Sequence, residues 1–333
     1  MFKRLVLSFV FASLIPGMLF SYVPHYESAD KHQMETVQTC PVTKPPQISV
    51  ELIPEREEEP IYISVQENDG TVTDMELEKY VWGVVLGEMP ASFELEALKA
   101  QAVAARTYAL RCMEDGVHEN GAVCKVYSCC QNYCDPKRYV ASGGLQEYTQ
   151  KVWDAVNQTK GVVATYGGKL IFSVYFASSG GSTEDAVEVW GSSFPYLKPV
   201  ESPGETDKAY QNDVIRVTSS QFQDKLGIQL QGTPQQWLGK VQYTAGGGVD
   251  SVMIGGIEYS GVKLRSIFGL RSTMFRISVS NDVITFTTNG YGHRVGMSQY
   301  GAQAMAQDGK DHVAILKHYY QKIDLVKYPF SGD

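Results

Sequence analysis

The spacing of hydrophobic positions changes along this chain, and each change marks a different kind of element. Ile61-Tyr62-Ile63-Ser64-Val65 alternates as a strand, followed by the turn residues Asn68-Asp69-Gly70. Leu77, Tyr80, Val81, Val84 and Val85 then recur at helical spacing. Thr73 and Glu76 fit a capping box, so the pattern predicts a helix over 74–87. Pro90 limits that helix, because the residue before a proline is biased away from helical geometry. A second helix is predicted from Ala91–Ser92, with Phe93, Leu98, Ala102, Ala105, Tyr108 and Ala109 along one side. Its alanine content gives high helix propensity and implies close packing against another element. Residues 114–146 read as loop, and Gln150 to Asn157 as a short helix.

From Gly161 the period becomes two. Val162 to Tyr166 and Leu170 to Tyr175 flank Gly167-Gly168 as a hairpin. Met274 to Ser280 and Val283 to Thr288 flank Asn281-Asp282 as a second one. Between them, 205–272 is rich in Gln, Gly and short strand-like pieces, as expected of an inserted subdomain. Helical spacing returns near 298–307 and 312–320. There is no internal repeat and no coiled-coil heptad. The class expected is α+β: a helical catalytic core with β-hairpins and an inserted β-rich subdomain. The core occupies 61–204 and 273–333, with the insertion at 205–272.

The N-terminus has another character. Lys3 and Arg4 precede an apolar stretch from Leu5 to Val23, about as long as a spanning helix requires. Residues 1–23 are therefore expected to be a membrane anchor or signal. Ser21-Tyr22-Val23-Pro24-His25 lacks a small-x-small cleavage site, which favours a retained anchor with the bulk outside the cytoplasm. Residues 24–60, with five prolines from Pro41 to Pro60 and a Glu-rich run at 55–59, read as an extended stalk. A net charge of −8 without any basic run argues against nucleic acid, whose phosphate backbone needs a Lys/Arg face.

Glu88 lies between the two predicted helices, in Gly87-Glu88-Met89-Pro90. At a helix C-terminus among apolar neighbours its charged form is disfavoured, and a protonated Glu suits a general acid at a glycosidic oxygen. The same spacing also describes a surface Glu capping the next helix. Arg106 is buried by pattern and needs a polar partner, for which Glu88 and an ordinary structural pairing are both candidates. Tyr175 to Glu184 contains Ser178-Ser179-Gly180-Gly181, a backbone-accessible loop suited to a sugar or phosphate, or a plain turn. Gly290-Tyr291-Gly292-His293-Arg294 leads into Ser298-Gln299, a tight loop around one histidine. His118, Cys124, Cys129 and Cys130 form a compact set that can hold a tetrahedral zinc, and otherwise the cysteines, including Cys40, Cys112 and Cys134, are expected in disulfides. Either role would be structural, since no open metal position is evident.

Together the segments 81–90, 96–110, 175–190 and 290–300 resemble the stage II sporulation protein D family, the peptidoglycan lytic transglycosylases of endospore formers. The resemblance runs from about residue 60 to the C-terminus. It implies cleavage of the β-1,4 bond between N-acetylmuramic acid and N-acetylglucosamine, giving a 1,6-anhydro end, with Glu88 as single general acid/base and no cofactor required for catalysis. It also implies that Arg106, Tyr175, Ser178, Ser179, Gly180, His293 and Gln299 shape the glycan groove. Arg294 stands where family members commonly have Gly, and is expected to narrow that groove. Some clostridial members hold zinc near the positions of His118, Cys124, Cys129 and Cys130, with a His where this chain has Cys129, and this chain looks more like a Bacillus-type member. The implied partners are the sporulation amidase protein P and the membrane protein M. The implied location is the cell membrane, with the catalytic domain between mother cell and forespore. The alternative is a glycan-binding activator of the amidase with little catalysis of its own. A zinc hydrolase built on the Cys/His set ranks below both.

Overall fold

The computed structural model describes residues 59–329, apart from 68, 119, 120, 127 and 206–209. The expected anchor or signal, nearly all of the expected stalk, and Cys40 lie outside the described residues. Among the described residues no helix is long and apolar enough to cross a membrane.

The chain begins with a hairpin of β1 (Tyr62–Gln66) and β2 (Val72–Glu76), paired from Tyr62 opposite Glu76 to Gln66 opposite Val72. The expected capping box at Thr73 is therefore absent. Thr73 lies in the ladder, and α1 (Leu77–Glu88) starts directly from the strand. Leu77 N–H donates to the Ile61 carbonyl at 2.8 Å, so strand backbone satisfies a helix donor that a side-chain cap would otherwise serve. The second helix, α2 (Leu95–Glu114), starts later than its alanine pattern suggests. Residues 91–94 first make a turn closed by Phe93 N–H to the Pro90 carbonyl, because Pro90 breaks the helical hydrogen-bond pattern.

Helix α2 is the axis of the larger core. Its alanines 97, 100, 102, 104, 105 and 109 are all fully buried, and their small volume lets neighbouring elements approach closely. Within the region expected as loop, the chain forms β3 (Val123–Cys124), parallel to β1, and α3 (Pro136–Ala141), capped by Asp135. α4 (Gln146–Gln158) packs on α1 and α2. β4 (Val162–Tyr166) and β5 (Lys169–Leu170) make the expected hairpin, but the return strand stops at Leu170. Ser173 turns instead to bond the Ala104 carbonyl on α2 at 2.8 Å. Tyr175–Phe176 becomes β6, and α5 (Ala186–Trp190) follows.

A second apolar cluster gathers β7 (Asp213–Thr218), α6 (Ser219–Leu226), α7 (Pro234–Trp237), β8 (Leu238–Tyr243), β9 (Val249–Ile254), β10 (Ile257–Ser260) and α8 (Gly261–Phe268). β11 (Phe275–Ser280) and β12 (Val283–Thr288) belong with it. β12 pairs along its length with β7, and Phe222, Phe268 and Phe286 stack at the cluster's centre. The second hairpin, expected within the core's second part, thus shares the other cluster. The chain then returns through β13 (Met297–Ser298), parallel to β6, into α9 (Gln299–Gln307) and α10 (His312–Tyr319). β14 (Asp324–Lys327) closes against β4. The whole is α+β, with several small sheets around a helical core.

Candidate active site

Glu88 is the last residue of α1, where the final turn leaves carbonyls without helical partners. The segment 132–134 serves one of them, at Gly87, and also bonds a carbonyl one turn earlier. Cys134 N–H donates to the Gly83 carbonyl at 2.9 Å, and Asn132 Nδ2 donates to the Gly87 carbonyl at 2.6 Å. The segment lies this close because α1 presents glycines one turn apart. A Cβ at Gly83 would overlap the Tyr133 ring, and one at Gly87 would stand 3.0 Å from the Asn132 carbonyl and Cys134 nitrogen. From that position the Asn132 main-chain N–H donates to Glu88 Oε1 at 2.6 Å. Burial raises the Glu88 pKa above its ordinary 4.5, and the Asn132 hydrogen bond opposes the rise.

Two cavities of about 690 and 540 Å³ meet at Glu88. Both are also lined by Phe176, Ala177 and Tyr291, so the carboxyl stands where one space passes into the other. Among the described residues Glu88 is the sole carboxylate lining either. Aromatic side chains dominate the larger one: Trp190, 41% exposed, packs on His293 and Phe172, and Phe172 packs on Tyr108.

The structure brings only some of the expected residues here. Tyr175 lines the larger cavity, and its hydroxyl donates to Gln131 Oε1 at 2.7 Å. His293 lines the same cavity between Phe176 and Trp190, and its Nδ1 accepts from Val295 N–H at 3.1 Å. Burial, with Arg265 nearby, pushes its pKa down to about 4, so the ring is neutral near pH 7. Gln299 lines the smaller cavity, 3.5 Å from Gln101.

The others face elsewhere. Arg106 is fully buried and pairs with Glu78, not Glu88: its Nη2 and Nε reach that carboxylate at 2.5–3.1 Å, and its remaining donors meet the Val156 and Val162 carbonyls. Ser178 and Ser179 are buried and donate to Glu205, through both hydroxyls and the Ser179 N–H, at 2.5–2.8 Å. They fasten the chain entering the second cluster rather than lining the Glu88 cavities. Gly180 borders a separate cavity beside Met274 and Arg276. Arg294 does not narrow the groove either. It holds a left-handed φ of 67°, a region that ordinarily favours glycine. Its side chain, fully buried, bonds Glu184, Thr273 and the carbonyls of Ser179, Ser182 and Gly246.

The sequence reading did not single out Gln131, Asn132, Trp190 or Arg265. Gln131 and Asn132 act through contacts spanning more than forty positions, which no local pattern reports. The glycines at 83 and 87 were a legible sign of close packing, but not of what packs.

The ligand atoms of His118, Cys124, Cys129 and Cys130 all lie within 4.8 Å of one another. His118 Nε2 is 3.3 Å from both Cys129 Sγ and Cys130 Sγ. None of the described cysteines is in a disulfide. One imidazole and three thiols converging in this way fit a four-coordinate zinc.

The family model described as stage II sporulation protein matches residues 66–166, which include Glu88 and the whole Cys/His set. Stage II sporulation protein D of Bacillus subtilis (strain 168) is 36% identical over 315 residues, covering 92% of this chain and 90% of the relative. The protein of that name in Bacillus amyloliquefaciens is 38% identical, over 82% of this chain and 80% of its own length. The amidase enhancer of Bacillus subtilis (strain 168) is 32% identical over 74% of this chain and 40% of its own length.

Proposed function

This chain belongs to the stage II sporulation protein D family, and on that premise we propose that it is a lytic transglycosylase of peptidoglycan glycan strands. The observation that carries the reading is a single carboxylate in an aromatic-lined groove, with its pKa raised by burial. Hydrolytic glycosidases ordinarily need two carboxylates, one to protonate the leaving oxygen and one to activate water or attack the sugar. One suffices when the nucleophile is internal. The protonated Glu88 gives its proton to the glycosidic oxygen as the C1–O bond breaks. The C6 hydroxyl of the same muramic residue bonds to C1 and loses its proton to the Glu88 carboxylate. The products are a free N-acetylglucosamine hydroxyl and a 1,6-anhydro end, and Glu88 is again protonated. Holding the C6 hydroxyl close to C1 replaces the second carboxylate through high effective molarity.

The Asn132 N–H favours the carboxylate and burial favours the acid, which suits a group that must act as both. His118, Cys124, Cys129 and Cys130 would hold a structural zinc with no open position, tying down the segment that carries Gln131 and Asn132. The apolar N-terminus would place the protein at the membrane with the groove outside the cytoplasm, between mother cell and forespore. The proposed partners there are the sporulation amidase protein P and the membrane protein M.

The test is digestion of peptide-stripped glycan strands followed by mass spectrometry. Wild-type protein is expected to release 1,6-anhydro ends, and Glu88→Gln to lose about 10²–10⁴-fold in rate. Reducing ends without the anhydro form, or an undiminished Glu88→Gln, would reject the mechanism. Similarity to an amidase enhancer supports a second reading, in which the groove presents glycan to an amidase. Full stimulation of that amidase by a Glu88→Gln protein is expected on this reading.

A further inference from the structure

Among the described residues, Arg265 is the sole lysine or arginine lining the larger cavity, which Glu88 also lines. It comes from α8, whose Leu264 and Phe268 are buried in the second apolar cluster and so fix where the side chain projects. Its Nε donates to the Leu270 carbonyl at 3.3 Å. Among the described residues, nothing bonds its Nη1 or Nη2, and no carboxylate pairs with it. The two fully buried guanidinium groups among the described residues are treated differently: Arg106 has Glu78, and Arg294 has Glu184.

A half-buried cation without a counter-charge carries a desolvation cost that contacts within the protein do not repay. Burial lowers the pKa of Arg265, opposed only by the nearby Tyr291, yet a guanidinium remains charged near neutral pH. His293 beside it is neutral and brings no anion. The terminal nitrogens therefore offer a planar fork of donors to whatever fills the cavity, and a carboxylate is the group that such a fork matches.

We propose that Arg265 is a specificity-determining residue that pairs with the free lactyl carboxylate of a muramic acid unit whose stem peptide has been removed. The inference rests on the glycan-strand reading above. In peptide-bearing strands that carboxyl is an amide, uncharged and bulky, and N-acetylglucosamine has none. One guanidinium in the groove thus distinguishes stripped muramic acid from both. The second apolar cluster has a task in recognition by this account, since it supplies the reader while the helical core supplies Glu88.

Binding of three ligands to the Glu88→Gln protein, which should hold strands without cleaving them, tests this. The ligands are stripped strands with free lactyl carboxylates, the same strands with those carboxylates converted to methylamides, and a chitooligosaccharide of equal length. The free carboxylate is expected to bind about tenfold to a hundredfold more tightly than the methylamide, with the gap narrowing in salt. Adding Arg265→Gln should abolish that preference and leave chitooligosaccharide affinity unchanged, while Arg265→Lys should retain part of it. Equal affinity for carboxylate and methylamide with Arg265 intact would overturn the proposal, whatever the variants do. So would a preference that survives Arg265→Gln. Failure to bind any of the three would sink the glycan reading itself and this inference with it. A clear preference in a protein whose wild type cleaves nothing would support Arg265 as reader and reject only the transglycosylase.

Discussion

The main-chain N–H of Asn132 donates to Oε1 of Glu88 at 2.6 Å, joining residues 44 positions apart. The carboxyl that ends α1 is therefore oriented by a segment from outside that helix. That segment is held by the glycine face of α1 on one side. On the other, it follows directly from Cys129 and Cys130 of the Cys/His set.

Gly87→Ala tests the relationship. A Cβ there would stand 3.0 Å from the Asn132 backbone, while alanine favours the helix by about 1 kcal/mol over glycine. The two effects oppose one another in stability, so the melting temperature is expected to move by only a few degrees. Geometry has no such compensation. Displacing Asn132 should lower strand cleavage about 10²-fold, since small misplacements of acid/base groups are costly. Cleavage at the wild-type rate would show that the Asn132 contact is dispensable.

The raised Glu88 pKa makes a prediction about stability. A carboxyl whose pKa is higher in the folded state contributes its stability in full below its ordinary value, 4.5. That contribution is lost as pH rises through the folded value. Glu88→Gln does not titrate. Its melting temperature should therefore gain on that of the wild type as pH climbs above 4.5. A difference that stays constant from about pH 4 to about pH 8 would exclude a raised pKa.

Arg106 and Glu78 form a buried pair whose loss should act on the fold and not on the groove. Arg106→Met leaves a carboxylate buried without its partner, at an expected cost of about 3–5 kcal/mol in denaturant unfolding. Combining it with Glu78→Leu should recover much of that loss. The double variant, once folded, is expected to keep the wild-type KM for glycan strands. A raised KM would return Arg106 to the groove.

Zinc is tested by composition and proteolysis together. The protein purified without chelator is expected to contain stoichiometric zinc by elemental analysis, and Cys129→Ser to contain much less. Chelation should lower the melting temperature and speed cleavage by protease between residues 118 and 134. Zinc-free protein with unchanged protection there would favour disulfides among these cysteines under oxidising conditions.

Much of the helical core was legible because its signals are local. The spacing of Leu77, Tyr80, Val81, Val84 and Val85 and the alanine run of α2 each report burial through a period of the chain itself. Where local signals competed, tertiary pairing won. Thr73 and Glu76 satisfy a capping rule, yet β1 was available to pair with that stretch. Leu170 to Tyr175 alternates as one strand, yet Ser173 leaves the ladder for a carbonyl on α2.

Sequence by itself determined that Glu88 ends a helix against Pro90, and it left His118, Cys124, Cys129 and Cys130 open between a zinc site and disulfides. Tertiary structure alone decided which side chains face the carboxyl. It turned Arg106 toward Glu78 and Ser178 and Ser179 toward Glu205, and it placed Arg265 without a carboxylate partner on the cavity that Glu88 also lines. The reason is physical. A buried charge or hydroxyl must find a partner, residue type announces that need, and only the packing of distant segments determines which partner is within reach.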